Sequence, residues 1–268
     1  MCTECGCGEA LEHHHHHHDH EHEYDHEHSH EHSHDEHSHS HSHHDHDHKH
    51  DNENSRILTI EKNVLSHNQE IAEENRKWLS EKGVICANII SSPGSGKTTL
   101  LEKTLESLKG HVKCAVIVGD QQTDNDAKRL EGKGAKVIQI ETYTSCHLNA
   151  DQIRKALPEV IEDDTQLLFI ENVGNLVCPA AFDLGENFKI ALLSTTEGED
   201  KAVKYPTLFS DAQIVVLTKT DLVPHLDWDM AECRKNIRQI HPGVFIFELS
   251  AKTGDGIGAW LDYLKNLV

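Results

Sequence analysis

Three cysteines stand close together near the start of the chain, in CTECGCG: Cys2, Cys5 and Cys7. Three thiolates, with the amine freed at Cys2 if Met1 is removed, complete a square-planar donor set, the geometry that suits Ni²⁺. Tetrahedral Zn²⁺ is the competing occupant of the same ligands. A site of a different kind follows. Between His13 and His50 lie 21 of the chain's 26 histidines, interleaved with Asp, Glu and Ser. LEHHHHHH reads like a purification tag, which accounts for the first six and not for the rest of the tract. Neutral imidazoles at spacings of two hold many divalent ions loosely, and the neighbouring carboxylates raise the local cation concentration.

SSPGSGKTT, residues 91–99, ends an apolar run and opens a helical stretch. This is the pattern of a P-loop, a Gly-rich turn whose backbone N–H groups and following helix dipole hold phosphate oxygens. Gly94, Ser95 and Gly96 form the turn, Lys97 reaches toward the β and γ phosphates, the Thr98 hydroxyl suits Mg²⁺, and Thr99 follows. Ser91 stands where the pattern usually has Gly. In LLFIENVGN, Glu171 takes the position of a Mg²⁺-linked carboxylate and Gly174 that of an N–H donor to the γ-phosphate. Asn175 follows where many GTPases carry Gln, so another residue must orient the attacking water. GDQQTDND offers Asp120 as a Mg²⁺- or water-linked carboxylate, and Asp126 as either a second one or a helix cap. The expected catalytic set is Lys97, Asp120, Glu171 and Gly174.

The base is addressed by two later strand ends, TKTD at 218–221 and SAK at 250–252. Asp221 can accept from guanine N1–H and the N2 amino group, and the stem of Lys219 can cover the ring. Ser250, Ala251 and Lys252 bring a backbone N–H toward O6. Adenine presents a donor where guanine presents O6 and lacks the N2 amino group, so these loops favour GTP and GDP over ATP. Thr218 stands where Asn is usual.

Two further groups bear on metal. Cys146 and His147 adjoin in TYTSCHLNA, and Cys178 lies four residues after Gly174, in a segment expected to rearrange when the γ-phosphate leaves. Thiolate and imidazole suit Ni²⁺, Zn²⁺ or Cu. Cys86 and Cys114, inside apolar runs, read as small core residues.

These groups need a frame, and composition divides the chain near Ser55. Residues 1–54 carry fifteen Asp or Glu against one Lys, −14 of the net −21. An excess of negative charge argues against nucleic acid as a partner. With almost no apolar side chains, the tail is expected to be disordered until something binds it. The expected units are residues 1–8, an N-terminal Cys metal motif; 9–54, the His/Asp/Glu-rich tail; 55–83, an amphipathic helix; and 84–268, one G domain. In the helix, Ile57/Leu58, Val64/Leu65, Ile71/Ala72 and Trp78/Leu79 recur every seven residues. From Val84, VICANIISS, KCAVIVGD, AKVIQIE, TQLLFIENV, FKIALLSTT, AQIVVLTKT and GVFIFELSA read as strands. Helices such as KTTLLEKTLESLK, DNDAKRLEGK, WDMAECRKNIRQI and GIGAWLDYLKNL separate several of them. That alternation implies an α/β fold, a mostly parallel sheet covered by helices on both faces, with ligands beyond the carboxyl ends of the strands. Eight cysteines without an apolar signal segment imply a reducing, cytoplasmic setting, and no run reaches the length of a membrane span.

CTECGCG, the His tract, SSPGSGKTT, GDQQTDNDAKR, SCHLNA, ENVGNLVCPA, TEGEDK and TKTD together resemble the HypB family, hydrogenase maturation GTPases that assist nickel insertion. The resemblance covers essentially the whole chain. It implies a homodimer promoted by GTP or metal, with Cys146, His147 and Cys178 as a shared metal site. It also implies delivery of Ni²⁺ to a hydrogenase large-subunit precursor with a HypA-type partner. Lys201 matches a lysine that, in the family, contacts the nucleotide of the neighbouring subunit. At the N-terminal cysteines the resemblance favours nickel. Two other readings compete: nickel storage and detoxification with a secondary G domain, and the related urease-type nickel GTPase.

Overall fold

The computed structural model describes residues 50–121 and 124–268, with side chains from residue 62 onward. Cys2, Cys5, Cys7 and the His tract before His50 lie outside the described residues, as do the side chains of Ile57 and Leu58. Seven strands form one sheet: β1 (Ile85–Ser91), β2 (Cys114–Asp120), β3 (Ala135–Glu141), β4 (Leu167–Glu171), β5 (Phe188–Ser194), β6 (Ile214–Thr218) and β7 (Phe245–Glu248). The order across the sheet is β3-β2-β4-β1-β5-β6-β7, and every neighbouring pair is parallel. Each apolar run read as a strand forms one, because a parallel strand packed on both faces has no polar side to alternate. Inner strands β1, β2, β4, β5 and β6 are buried almost throughout, whereas the edge strands β3 and β7 are half-exposed.

Nine α-helices are described: α1 (His50–Glu81), α2 (Lys97–Leu108), α3 (Asn125–Leu130), α4 (Ala150–Val160), α5 (Cys178–Ala181), α6 (Lys201–Lys204), α7 (Pro206–Asp211), α8 (Met230–Ile240) and α9 (Ile257–Lys265). On one sheet face Leu101, Leu105 and Leu108 of α2, Leu130 of α3 and Trp260 and Leu264 of α9 pack against Val116, Phe169, Ile190 and Val216. Trp260 is fully enclosed there and donates its indole N–H to Thr104 at 2.9 Å, so its polar edge is satisfied. The opposite face has two patches. Leu79 of α1 and Ile153 and Leu157 of α4 cover Ala115, Ile117 and Leu168, while Leu208 and Phe209 of α7 and Ile237 of α8 cover Ala191, Val215 and Leu217. Burying each such aliphatic or aromatic side chain is worth about 1.5–3 kcal/mol.

Helix α4 does not figure among the helices named from the sequence. Its signals are nonetheless local: Asn149 and Gln152 form a reciprocal capping box, with bonds of 2.9 and 3.0 Å, and Pro158 sits in the last turn. Helix α1 is fastened by polar side chains as well as apolar ones. Asn75, buried, donates to the carbonyls of Ala150 at 2.8 Å and Leu184 at 3.0 Å, and Arg76 pairs with Asp183 at 2.7 Å. Among the described residues no helix is long and apolar enough to cross a membrane.

Candidate functional site

All the strands run the same way, so their carboxyl ends collect on one rim, and two adjoining hollows open there. The larger, about 570 Å³, is lined by Gly94, Gly96, Lys97, Thr98 and Thr99 of the β1–α2 turn, by Asp120 and Asp126 around the end of β2, by Glu171 and Gly174 at the end of β4, and by Lys219. The smaller, about 240 Å³, is lined by Ser95, Gly96, Thr99, Thr218, Lys219, Asp221, Ser250, Ala251 and Lys252. Gly96, Thr99 and Lys219 belong to both, so phosphate-type and base-type chemistry meet in one continuous cleft.

The phosphate half is prearranged. Gly94 and Gly96 hold φ of 74° and 99°, left-handed values that glycine adopts without strain and that turn the chain into the α2 N-terminus. Lys97 is buried, and its Nζ rests 3.1 Å from Ser91 Oγ, so the residue standing in for Gly provides the ammonium with an acceptor. Burial pushes the Lys97 pKa below its ordinary value, against the pull of Glu171. Thr98 Oγ1 donates to Glu171 Oε1 at 2.7 Å. Burial raises the Glu171 carboxyl to about 7, with Lys97 and the Thr98 hydroxyl opposing. Glu171 Oε2 is buried and has no hydrogen-bond partner among the described residues. A phosphate-bound Mg²⁺ fits this arrangement, because it would satisfy that oxygen and hold the carboxyl ionised. Gly174 lies against the turn so closely that a Cβ there would be 2.9 Å from Pro93 Cγ and 3.0 Å from Pro93 Cα.

Asp120 Oδ1 accepts the backbone N–H of Gln121 at 2.6 Å, and Asp126 lies in the first turn of α3, 3.8 Å from Arg129. Asn175 accepts from Val177 N at 2.9 Å and is not among the residues that line the cleft.

In the base half Lys219 adopts φ 59° and donates from Nζ to the Gly94 carbonyl at 2.7 Å, which lays its stem along the hollow. Thr218 donates its hydroxyl to the Ser95 carbonyl at 2.7 Å, tying the base loop to the phosphate turn. The Ser250 N–H is taken by Asp255 O at 2.9 Å, which leaves Ala251 and Lys252 as the candidates for O6. Lys201 lines neither hollow. Its ammonium lies 3.6 Å from Glu197 of its own chain and 5.1 Å from the Tyr205 ring. Glu197 itself was not singled out from the sequence, although its Oε1 accepts Ser95 Oγ at 2.6 Å and Ser194 N at 3.1 Å. Its place, three residues beyond β5, was the available signal.

Beside the cleft, Cys146, His147 and Cys178 converge: one ligand atom from each lies within 4.8 Å of the other two. Cys146 and His147 come from the loop between β3 and α4, and Cys178 opens α5, just past Gly174. A tetrahedral edge at metal–ligand bonds of 2.0–2.3 Å is about 3.6 Å, so small side-chain movements close the trio on one ion. His147 is 3 % exposed and stacks on Phe182 at 3.9 Å between ring centroids. Burial lowers its pKa, which keeps the imidazole in the neutral, ligating form. Three protein ligands leave one position of a tetrahedral site open to a further ligand, unlike the closed four-ligand set of a structural site. Tyr143, at φ 52° and 69 % exposed, and Val177, 61 % exposed, place apolar surface next to these ligands.

The model of the CobW/HypB/UreG nucleotide-binding domain matches residues 85–248. The hydrogenase maturation factor HypB of Escherichia coli strain K12 is 50 % identical over 210 residues, covering 78 % of this chain and 72 % of that protein. Among solved structures, HypB from Archaeoglobus fulgidus has a TM-score of 0.71 at 38 % identity, over 75 % of this chain and 98 % of that one. HypB from Helicobacter pylori in complex with nickel also has a TM-score of 0.71, at 37 % identity, over 74 % of this chain and 93 % of that one.

Proposed function

The chain belongs to the HypB family of hydrogenase maturation factors and is a P-loop GTPase; from that premise we propose that it is a nickel metallochaperone whose metal site is set by its nucleotide state. The observation that carries this reading is the position of Cys178, four residues past a glycine packed against the phosphate-binding turn and within reach of Cys146 and His147. Nickel is cargo here. Thr98 and Glu171 would hold Mg²⁺, which would supply neutralisation of phosphate charge, and Lys97 and the Gly174 N–H attend the β and γ phosphates. Asp221 and Lys219 select guanine, and Asp120 is the first candidate to hold the attacking water or a Mg²⁺-bound one. Zn²⁺ competes for Cys146, His147 and Cys178, since thiolate and imidazole serve both ions.

Two copies meet across the metal loops in this reading, where Tyr143 and Val177 are exposed. Lys201, held by Glu197 within one chain, is released to reach the partner's nucleotide. The cargo passes to a hydrogenase large-subunit precursor with a HypA-type chaperone, in the cytoplasm. Cys2, Cys5 and Cys7 hold one ion tightly and the His tract holds many loosely. Measuring GTP turnover and dimerisation with and without Ni²⁺ tests the coupling; indifference of both to the metal refutes it. The abundance of tail histidines favours storage as a second reading. Nickel tolerance that depends on the tail, with hydrogenase activity unaffected by Lys97→Ala, would support storage instead.

A further inference from the structure

One buried side chain touches both the phosphate-sensing segment and the metal loop. Asn172 follows Glu171 at the end of β4 and is 1 % exposed. Its Oδ1 accepts two backbone N–H groups: Val173 at 3.0 Å, the step before Gly174, and Leu148 at 3.2 Å, the step after His147. Its Nδ2 donates to Asn88 Oδ1 at 3.2 Å, in the middle of β1. Asn88 in turn donates to Glu186 Oε1 at 3.0 Å, and Glu186 Oε2 accepts from Leu184 N at 2.6 Å. The amide is therefore anchored from the sheet side, and rotating it would strand buried polar groups on both strands.

We infer that Asn172 is a positioning residue through which a γ-phosphate at Gly174 sets the geometry of His147. One oxygen serves two segments that move for different reasons. If Val173 and Gly174 shift to meet a phosphate, the anchored oxygen holds or releases Leu148, and His147 turns with it. Both bonds are made at once by one anchored oxygen, so displacing one donor alters the geometry at the other. The stacking of His147 on Phe182, between Cys178 and the 183–186 segment, makes the ring respond to the same displacement. The inference rests on the proposed function for the two sites that it joins.

The test is nickel titration of the full chain carrying Cys2→Ser, Cys5→Ser and Cys7→Ser, read by thiolate-to-nickel charge-transfer absorption. Imidazole ligands of the tail do not contribute to that band, so it reports on Cys146 and Cys178. The quantity is the ratio of nickel Kd with GDP to that with a non-hydrolysable GTP analogue. The parent is expected to give a ratio that departs from one by at least about fivefold. Asn172→Ala should bring it to about one, and Asn172→Asp, which keeps an acceptor oxygen, should restore it in part. Leu264→Ala, in the core under α9 and outside this hydrogen-bonded chain, should lower Tm and keep the ratio. If Asn172→Ala fails to fold, Asn172→Ser, too short to reach both N–H groups, takes its place with the same expectation. An Asn172→Ala or Asn172→Ser variant that retains the parent ratio, or a loss that simply tracks Tm across all variants, overturns this inference alone. A parent ratio of one, or a band insensitive to Cys178→Ala, overturns the proposed function as well.

Discussion

At the scale of single residues, the cleft makes two chemical commitments that substitution can expose. Asp221 lines the smaller hollow and is the proposed acceptor for the base, so Asp221→Asn should lose GTP affinity by at least about a hundredfold and gain affinity for the xanthine nucleotide, whose base presents the complementary acceptor. Equilibrium binding of both nucleotides measures this; unchanged preference would remove Asp221 from the site. Gly174 has no space for a methyl group against Pro93. Gly174→Ala should therefore displace the γ-phosphate donor and slow GTP hydrolysis on the order of a hundredfold, with GDP affinity much less affected. Single-turnover hydrolysis and GDP binding separate those outcomes. Most of these residues were legible in the sequence because phosphate and base recognition place fixed residue types at fixed spacings. Glu197 and Asn172 were not. Their importance lies in partners distant along the chain, Ser95 for one, Leu148 and Asn88 for the other, and no local spacing encodes such pairs.

At the scale of elements, every strand was legible, since continuous burial writes itself as continuous apolar sequence. Helix α4 and the short helices α5, α6 and α7 were harder to read. Three of them have six residues or fewer, below the length at which helical periodicity can be counted. Helix α1 is held to the domain by Asn75 and Arg76 as much as by Leu79. Asn75→Ala strands two carbonyls and should cost about 1–3 kcal/mol, measurable by chemical denaturation. Burial works to raise the Asp183 pKa, but the bonds from Arg76 and Gly185 outweigh it and hold the carboxyl below its ordinary range. An acid depressed in the folded state stabilises above its unfolded pKa of about 3.9 and loses that contribution as pH falls further. The acid limb of Tm against pH should accordingly be shallower in Asp183→Asn, and a limb identical to the parent's would contradict the pairing.

At the scale of the whole molecule, the proposed function divides the handling of metal between a reservoir and a switch. Deleting residues 13–50 should remove most of the nickel stoichiometry while leaving GTP hydrolysis intact, as metal counting and turnover on the same preparation would establish. Loss of hydrolysis would mean that the two parts are not modular. The switch is the larger claim. Its parts share one rim: the glycine packed on the phosphate turn, the cysteine four residues beyond it, and the Cys–His pair on the neighbouring loop. Linkage requires that whatever GTP does to nickel, nickel does to GTP by the same factor. The most direct test is the affinity of a non-hydrolysable GTP analogue for the parent chain and for Cys178→Ala, with and without Ni²⁺. Nickel is expected to change the parent's affinity by at least about fivefold and to leave that of Cys178→Ala unchanged; an analogue affinity in the parent that is indifferent to nickel would contradict the account.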